Sequence, residues 1–287
     1  AAFEGYHRTF AEHLTSAKLC HWDKSVRELA AEALARLVPI DPEYHRTVTL
    51  KRLANACIEP TSQDGTHGAT LGLACLLPAV QAEGSGMPGP NGEGLVIKAI
   101  VHLAETFTLA GSKSGGTLAG GENMRSALCR LIRSACVSGV SRSSGGPTSV
   151  RVIRDMYGVC RENLHHPAHA VQRDAAMALA ALLDAHVDDP AFDIPFEDVI
   201  ASLAGDLHPD LHFGARRGAA LAFGEIPAHL IPRGKEDIFR AVCRAVYPDE
   251  QLSVRDVETR VNAIHALPHV VKSANVTSAA PAGACGS

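Results

Sequence analysis

The chain has 287 residues, 46% of them hydrophobic but only 5% aromatic, and Lys+Arg 27 against Asp+Glu 31 leaves a net charge of −4. That length fits one large domain, two ordinary ones or a repeat array, and 45 alanines favour helix and disfavour an all-β fold. The charge balance gives no global field for nucleic acid, and no apolar run approaches the roughly 18 to 20 residues of a membrane span.

Taken in chain order, the residues fall into alternating helical segments. Apolar periodicity predicts a first set of helices over 3–19, 44–58, 95–109, 150–164, 196–207 and 236–247. Between them runs a second set that shares one frame, with small or apolar residues at i, i+4, i+7, i+8 and i+11. It opens at Val26 with Ala30, Ala33, Leu34 and Leu37, and recurs from Thr66, Met124, Val171, Ala215 and Thr259. The spacings of 40, 58, 47, 44 and 44 lie near the 40 to 47 residues of HEAT or armadillo repeats. The longest contains the Gly/Pro-rich stretch 82–94, which reads as a surface insertion. At i+1 the frames carry Arg27, His67, Arg125, Gln172, Arg216 and Arg260.

Six helix pairs therefore account for nearly the whole chain. A single pair cannot bury both of its faces, so neighbours must stack, and the expected fold is an all-α solenoid of HEAT/armadillo-type pairs over 1–272. Flexible Gly-rich inserts are expected at 83–94, 111–121 and 138–147, with a disordered tail at 273–287. The chain has no leader-like start, opens directly into helix and lacks an initiator Met, so it reads as a cytoplasmic segment of a longer protein. Eight cysteines without a CxxC spacing, most in apolar helical contexts, read as reduced core thiols.

No residue set argues for catalysis, metal or cofactor. His165 and His169, and likewise His208 and His212, are four apart, but Pro167 and Pro209 interrupt each pair and no HExxH follows. Gly111-Ser112-Lys113-Ser114 lacks the first glycine and the preceding strand of a phosphate loop. Asn275-Val276-Thr277 matches a glycosylation sequon by chance composition. No serine lies in a GxSxG turn, so the chain reads as a non-enzyme.

The most informative run is His21-Trp22-Asp23-Lys24-Ser25-Val26-Arg27-Glu28-Leu29-Ala30. Asp23 reads as the cap of a helix. Trp22, the single tryptophan, reads as a wedge between the two helices, with an exposed partner-binding anchor as the alternative. This run resembles the signature of tubulin-folding cofactor D, a large HEAT-repeat chaperone family. His67-Gly68-Ala69, Met124-Arg125 with Cys129, the run from Asp174 to Leu182, Arg216 to Pro227 and the helix around 258–269 resemble further elements in family order, although Thr66 replaces an arginine. The resemblance implies a non-catalytic scaffold that binds β-tubulin and takes part in α/β-tubulin heterodimer assembly and disassembly. Its implied partners are cofactors E and C and an Arf-like small GTPase, with GTPase activation arising in that complex and a cytoplasmic, cytoskeleton-associated location. Candidate partner-binding residues are His21, Trp22, Asp23, Lys24, Arg27, Glu28, His67, Gly68, Arg216 and Arg217, with exposed polar positions at the helix-pair turns favoured. The alternative is a generic α-solenoid adaptor or transport receptor.

Overall fold

A computed structural model describes residues 4–84, 89–107, 121–142, 147–189, 192–231, 236–246 and 256–275. Twelve helices form among these residues, and no strand does. Helix α1 runs Glu4–His13 and continues through a π turn, Leu14–Lys18, and α2 runs Lys24–Leu37. Helix α3 starts at Pro42–Tyr44, passes a second π turn at His45–Thr49 and finishes as Leu50–Ile58. Then follow α4 (Gln63–Ala82), α5 (Gly89–Phe107), α6 (Gly121–Val137), α7 (Pro147–Leu164) and α8 (His169–His186). The last four are α9 (Phe196–Asp206), α10 (Phe213–Glu225), α11 (Glu236–Val246) and α12 (Val257–Asn275).

These are the six expected pairs, stacked in two layers. The second helices form a continuous row in which α2 packs on α4, α4 on α6, α6 on α8, α8 on α10 and α10 on α12. The first helices form the other layer, with α3 on α5, α5 on α7 and α9 on α11. One contiguous apolar cluster runs between the layers, and the frame residues supply it: Ala30 and Leu34, Leu73 and Leu77, Leu128 and Leu131, Ala175 and Leu179, Ala219 and Phe223, Ala263 and Ala266 are all buried. Alanine matters because each such position lets helix backbones approach closely.

The local signals explain the helix starts. Asp23 accepts a hydrogen bond from the Ser25 amide at 2.7 Å and caps α2. Asp41 caps α3 through the Tyr44 amide, with Pro42 in the first turn, where a missing N–H costs nothing. Ser62 caps α4 through the Gly65 amide. Burial keeps the core thiols protonated, with Cys57 and Cys136 pushed up to about 12.

Regular structure reaches into the described parts of the expected inserts. Helix α5 already begins at Gly89, inside the stretch 83–94, and Pro90 falls in its first turn, where the orphan amide has no helical acceptor. The stretch 138–147 contains a turn at Gly139 with φ of +75°, followed by the 3-10 turn Val140–Arg142, in which Val140 and Ser141 are buried. The end of α12 takes in residues 273–275, and α6 starts at Gly121. The parts of the expected inserts at 85–88, 111–120 and 143–146, and of the tail at 276–287, lie outside the described residues.

Two glycines set the distance between successive pairs. A Cβ at Gly68 on α4 would lie 1.8 Å from the Leu19 carbonyl oxygen, just past the π turn that ends α1, and one at Gly218 on α10 would lie 1.9 Å from the Leu164 carbonyl at the end of α7. In both places the second helix of one pair meets the end of the first helix of the preceding pair, backbone to backbone. Gly68→Ala and Gly218→Ala are each expected to lower stability in urea unfolding by about 3 kcal/mol. Gly158→Ala, where nothing lies within 4 Å of the added Cβ, is expected to leave stability unchanged or raise it by up to about 1 kcal/mol.

Candidate functional site

The turns between the two helices of each pair lie along one edge of the solenoid, and the i+1 frame residues converge there. Arg27, 4% exposed, donates from Nη1 to the carbonyls of His21 (2.6 Å) and Trp22 (2.9 Å) in its own turn. It also reaches the next pair, where Nη1 meets Asp64 at 2.6 Å and Nε donates to His67 Nδ1 at 3.0 Å. Arg125 donates to Asn163 at 2.9 Å and to Glu162, at the end of α7 in the following pair. Gln172, fully buried, donates from Nε2 both to the Leu164 carbonyl in its own turn (3.0 Å) and to the Gly214 carbonyl at the start of α10 (2.8 Å). Arg216 meets Asp256, just before α12, at 3.1 Å, with both side chains 1% exposed. Arg260, on the last described helix, is exposed.

Histidines furnish a second recurring device on this edge. The Nδ1 atoms of His21, His166 and His212 each accept the amide two residues on, from Asp23, Ala168 and Gly214, at 3.1 Å. His208 Nδ1 accepts the Asp210 amide at 3.4 Å, and His165 Nε2 lies 3.1 Å from Asp206. Of the two histidine pairs considered from spacing, His165, His208 and His212 are thus used at turns, and His169 opens α8. Among the described residues no three His, Cys, Asp or Glu side chains converge on a point that would hold a metal ion.

The structure sorts the sequence-predicted candidates. Arg27, His67, Gly68 and Arg216 are buried between pairs, so the expectation that Arg216 is an exposed turn residue is overturned: its guanidinium is drawn in by Asp256. Trp22 is also corrected, since it does not wedge the helices but stands 77% exposed with its ring 5.4 Å from that of His21. Asp23 caps α2, Lys24 and Glu28 form an i,i+4 pair at 3.7 Å, and half-buried Arg217 bonds Asp256 and Glu258 at 3.1 and 2.8 Å. His21, Trp22, Lys24 and Glu28 form one accessible group at the first turn, whereas Arg217 lies on α10, four pairs away.

A concave surface escaped the sequence reading. Glu28 on α2 lies 3.9 Å from Arg130 on α6, and Arg130 lies 3.3 Å from Asp174 on α8. A side chain of α2 can meet one of α6 across the intervening α4 only if this layer curves inward, so the second helices form the inner face. An open groove of about 700 Å³ lies there, lined from α2, α4, α6 and α8. The relevant signal was present in the frame: positions i+2, i+6 and i+9 carry Glu28, Glu32, Cys75, Arg130, Arg133, Arg173 and Met177.

These features define an all-α solenoid of HEAT-type helix pairs. Within that class, the chain is similar to tubulin-specific chaperone D of Dictyostelium discoideum, at 29% identity over 113 residues, which cover 38% of this chain and 8% of that protein. The matched stretch is thus a small part of a much longer relative. A crystal structure of an engineered protein superposes with a TM-score of 0.46 at 18% identity, covering 94% of this chain and 98% of the other. The chain matches no family profile. No helix among the described residues is long and apolar enough to cross a membrane.

Two outcomes follow from the turn edge. Trp22→Ala is expected to leave the melting temperature within about 1 °C of the parent, because so exposed a ring supports little packing. Burial, reinforced by the Arg27 charge, pulls His67 down to about 4, and burial beside His7 does the same for His45. Because both folded-state values lie below the ordinary 6.5, the unfolded chain takes up these protons first. This contribution to stability is complete above pH 6.5 and is lost as pH falls through about 4. His67→Gln keeps an acceptor for Arg27 without a titrating group, and its urea midpoint is expected to fall less steeply across that window.

Proposed function

We propose that the chain is part of a tubulin-folding chaperone scaffold that binds β-tubulin and takes part in assembly and disassembly of the α/β-tubulin heterodimer. The observation that carries this reading is the 29% identity over 113 residues to a tubulin-specific chaperone, which agrees with the family-like runs from His21 to Leu34 and from Asp174 to Leu182. The solenoid supplies a suitable physical basis: stacked pairs present an extended curved surface that holds a large partner through distributed contacts. In this reading the scaffold is not an enzyme. Cofactors E and C and an Arf-like small GTPase join it, and GTPase activation arises in that assembly on the nucleotide of a partner. Its place is the cytoplasm, in association with the cytoskeleton. His21, Trp22, Lys24 and Glu28 are the accessible members of the candidate set at the first turn, and Arg27, His67, Gly68 and Arg216 act on binding only by holding the turns in place.

A second reading, a general solenoid adaptor or transport receptor, has the fold alone in its favour. The two separate in a pull-down of the whole protein against purified tubulin and an Arf-like GTPase. Retention of β-tubulin, weakened by Trp22→Ala without loss of melting temperature, is the expected result. Retention of neither partner contradicts the tubulin reading and leaves the adaptor.

A further inference from the structure

Among the described residues, two of the inner groove's three arginines are not paired with its carboxylates. Arg130 is committed to Asp174 and Glu28. Arg133 meets only the Met177 sulfur, at 3.7 Å, and Arg173 has no hydrogen bond or ion pair to any described residue. Both are exposed on neighbouring helices, α6 and α8. Elsewhere on the chain Arg8, Arg125, Arg154 and Arg216 each close on a carboxylate, as expected where Asp+Glu 31 outnumber Lys+Arg 27. Beside the two uncommitted guanidinium groups the groove is apolar: Leu71 and Pro78 line it, Val137 stands 64% exposed at its edge, and Met177 lies between the two arginines' helices.

We propose that this groove is a docking site for an extended acidic peptide segment of a partner protein, with Arg133 and Arg173 gripping its carboxylates and an interleaved apolar side chain seated against Leu71, Val137 and Met177. A guanidinium offers a planar fork that matches a carboxylate in two parallel hydrogen bonds, and it does so best where an apolar wall lowers the competition from water. The trough crosses helices packed about 8 to 10 Å apart, so it accommodates about six residues of extended chain. Nucleic acid fits less well, because the groove lining holds no aromatic side chain on which a base could stack. Shape, charge and apolar floor are all properties of this chain alone, so the inference stands or falls separately from the tubulin reading.

The test uses the whole chain and a fluorescein-labelled peptide of about twelve residues, two glutamates to each leucine, followed by fluorescence anisotropy at low and high salt. Binding that weakens with salt is expected, together with a loss of about tenfold or more in the Arg133→Glu, Arg173→Glu double variant. A control, Lys51→Glu with Lys98→Glu, reverses the same number of charges at exposed positions of the other layer and is expected to change binding by less than about twofold. Melting curves establish that both variants are folded. Absence of peptide binding, equal loss in the two double variants, or unaltered binding in the groove variant overturns the proposal. Preference for a labelled oligothymidine over the peptide overturns it in favour of a nucleic-acid groove.

Discussion

The stacking of this solenoid depends on a bridge repeated in four of its inner helices, from the second frame residue, Arg27, Arg125, Gln172 or Arg216, to the turn of the next pair. Helix ends leave carbonyls and amides without intrahelical partners, and stacking pairs side by side would bury those groups. Arg27, Arg125 and Gln172 resolve this by entering the interface as donors, two of them satisfying a carbonyl of their own turn while also meeting the next pair, and Arg216 enters it as the buried ion partner of Asp256. The chemistry differs from pair to pair, as a half-exposed ion pair, a neutral amide or a fully buried ion pair, but the direction of reach does not. His67 takes the acceptor's part, which is why burial and the Arg27 charge that hold it neutral also hold the first two pairs together.

Much of this was legible in the sequence, because both the pairing and the buried face follow from a period of 3.6 that recurs at a repeat spacing. Even Asp23 as a helix cap needed only local information. What could not be read was where a polar side chain on the frame ends up, since that depends on a residue about 40 positions later. Arg216 looks like a turn arginine until Asp256 is placed beside it. Trp22 looks like a wedge until its ring is found turned outward beside that of His21. The expectation of flexible inserts followed glycine content too closely, because glycines can open a helix, as at Gly89 and Gly121, as well as interrupt one. The inner arginines were visible at i+2, i+6 and i+9, yet no property of one helix shows that its neighbours curve toward it.

The architecture divides labour between its surfaces. The turn edge is occupied internally by guanidinium, amide and imidazole groups that bind backbone, leaving an exposed indole at the first pair. The inner face carries a partly apolar trough with two arginines, Arg133 and Arg173, that no described carboxylate pairs. Curvature brings side chains of successive pairs together along an open surface, as Glu28 and Arg130 show.

The central claim is that the i+1 residue couples one pair to the next. Native-state hydrogen exchange on Gln172→Met tests it most directly, because Met approximates the shape of Gln while removing both hydrogen bonds of Nε2. The account predicts faster exchange on both sides of the bridge, in the first turns of α8 and at the start of α10, with α2 and α4 unaffected. Faster exchange confined to α8, or no change at either helix, would contradict it.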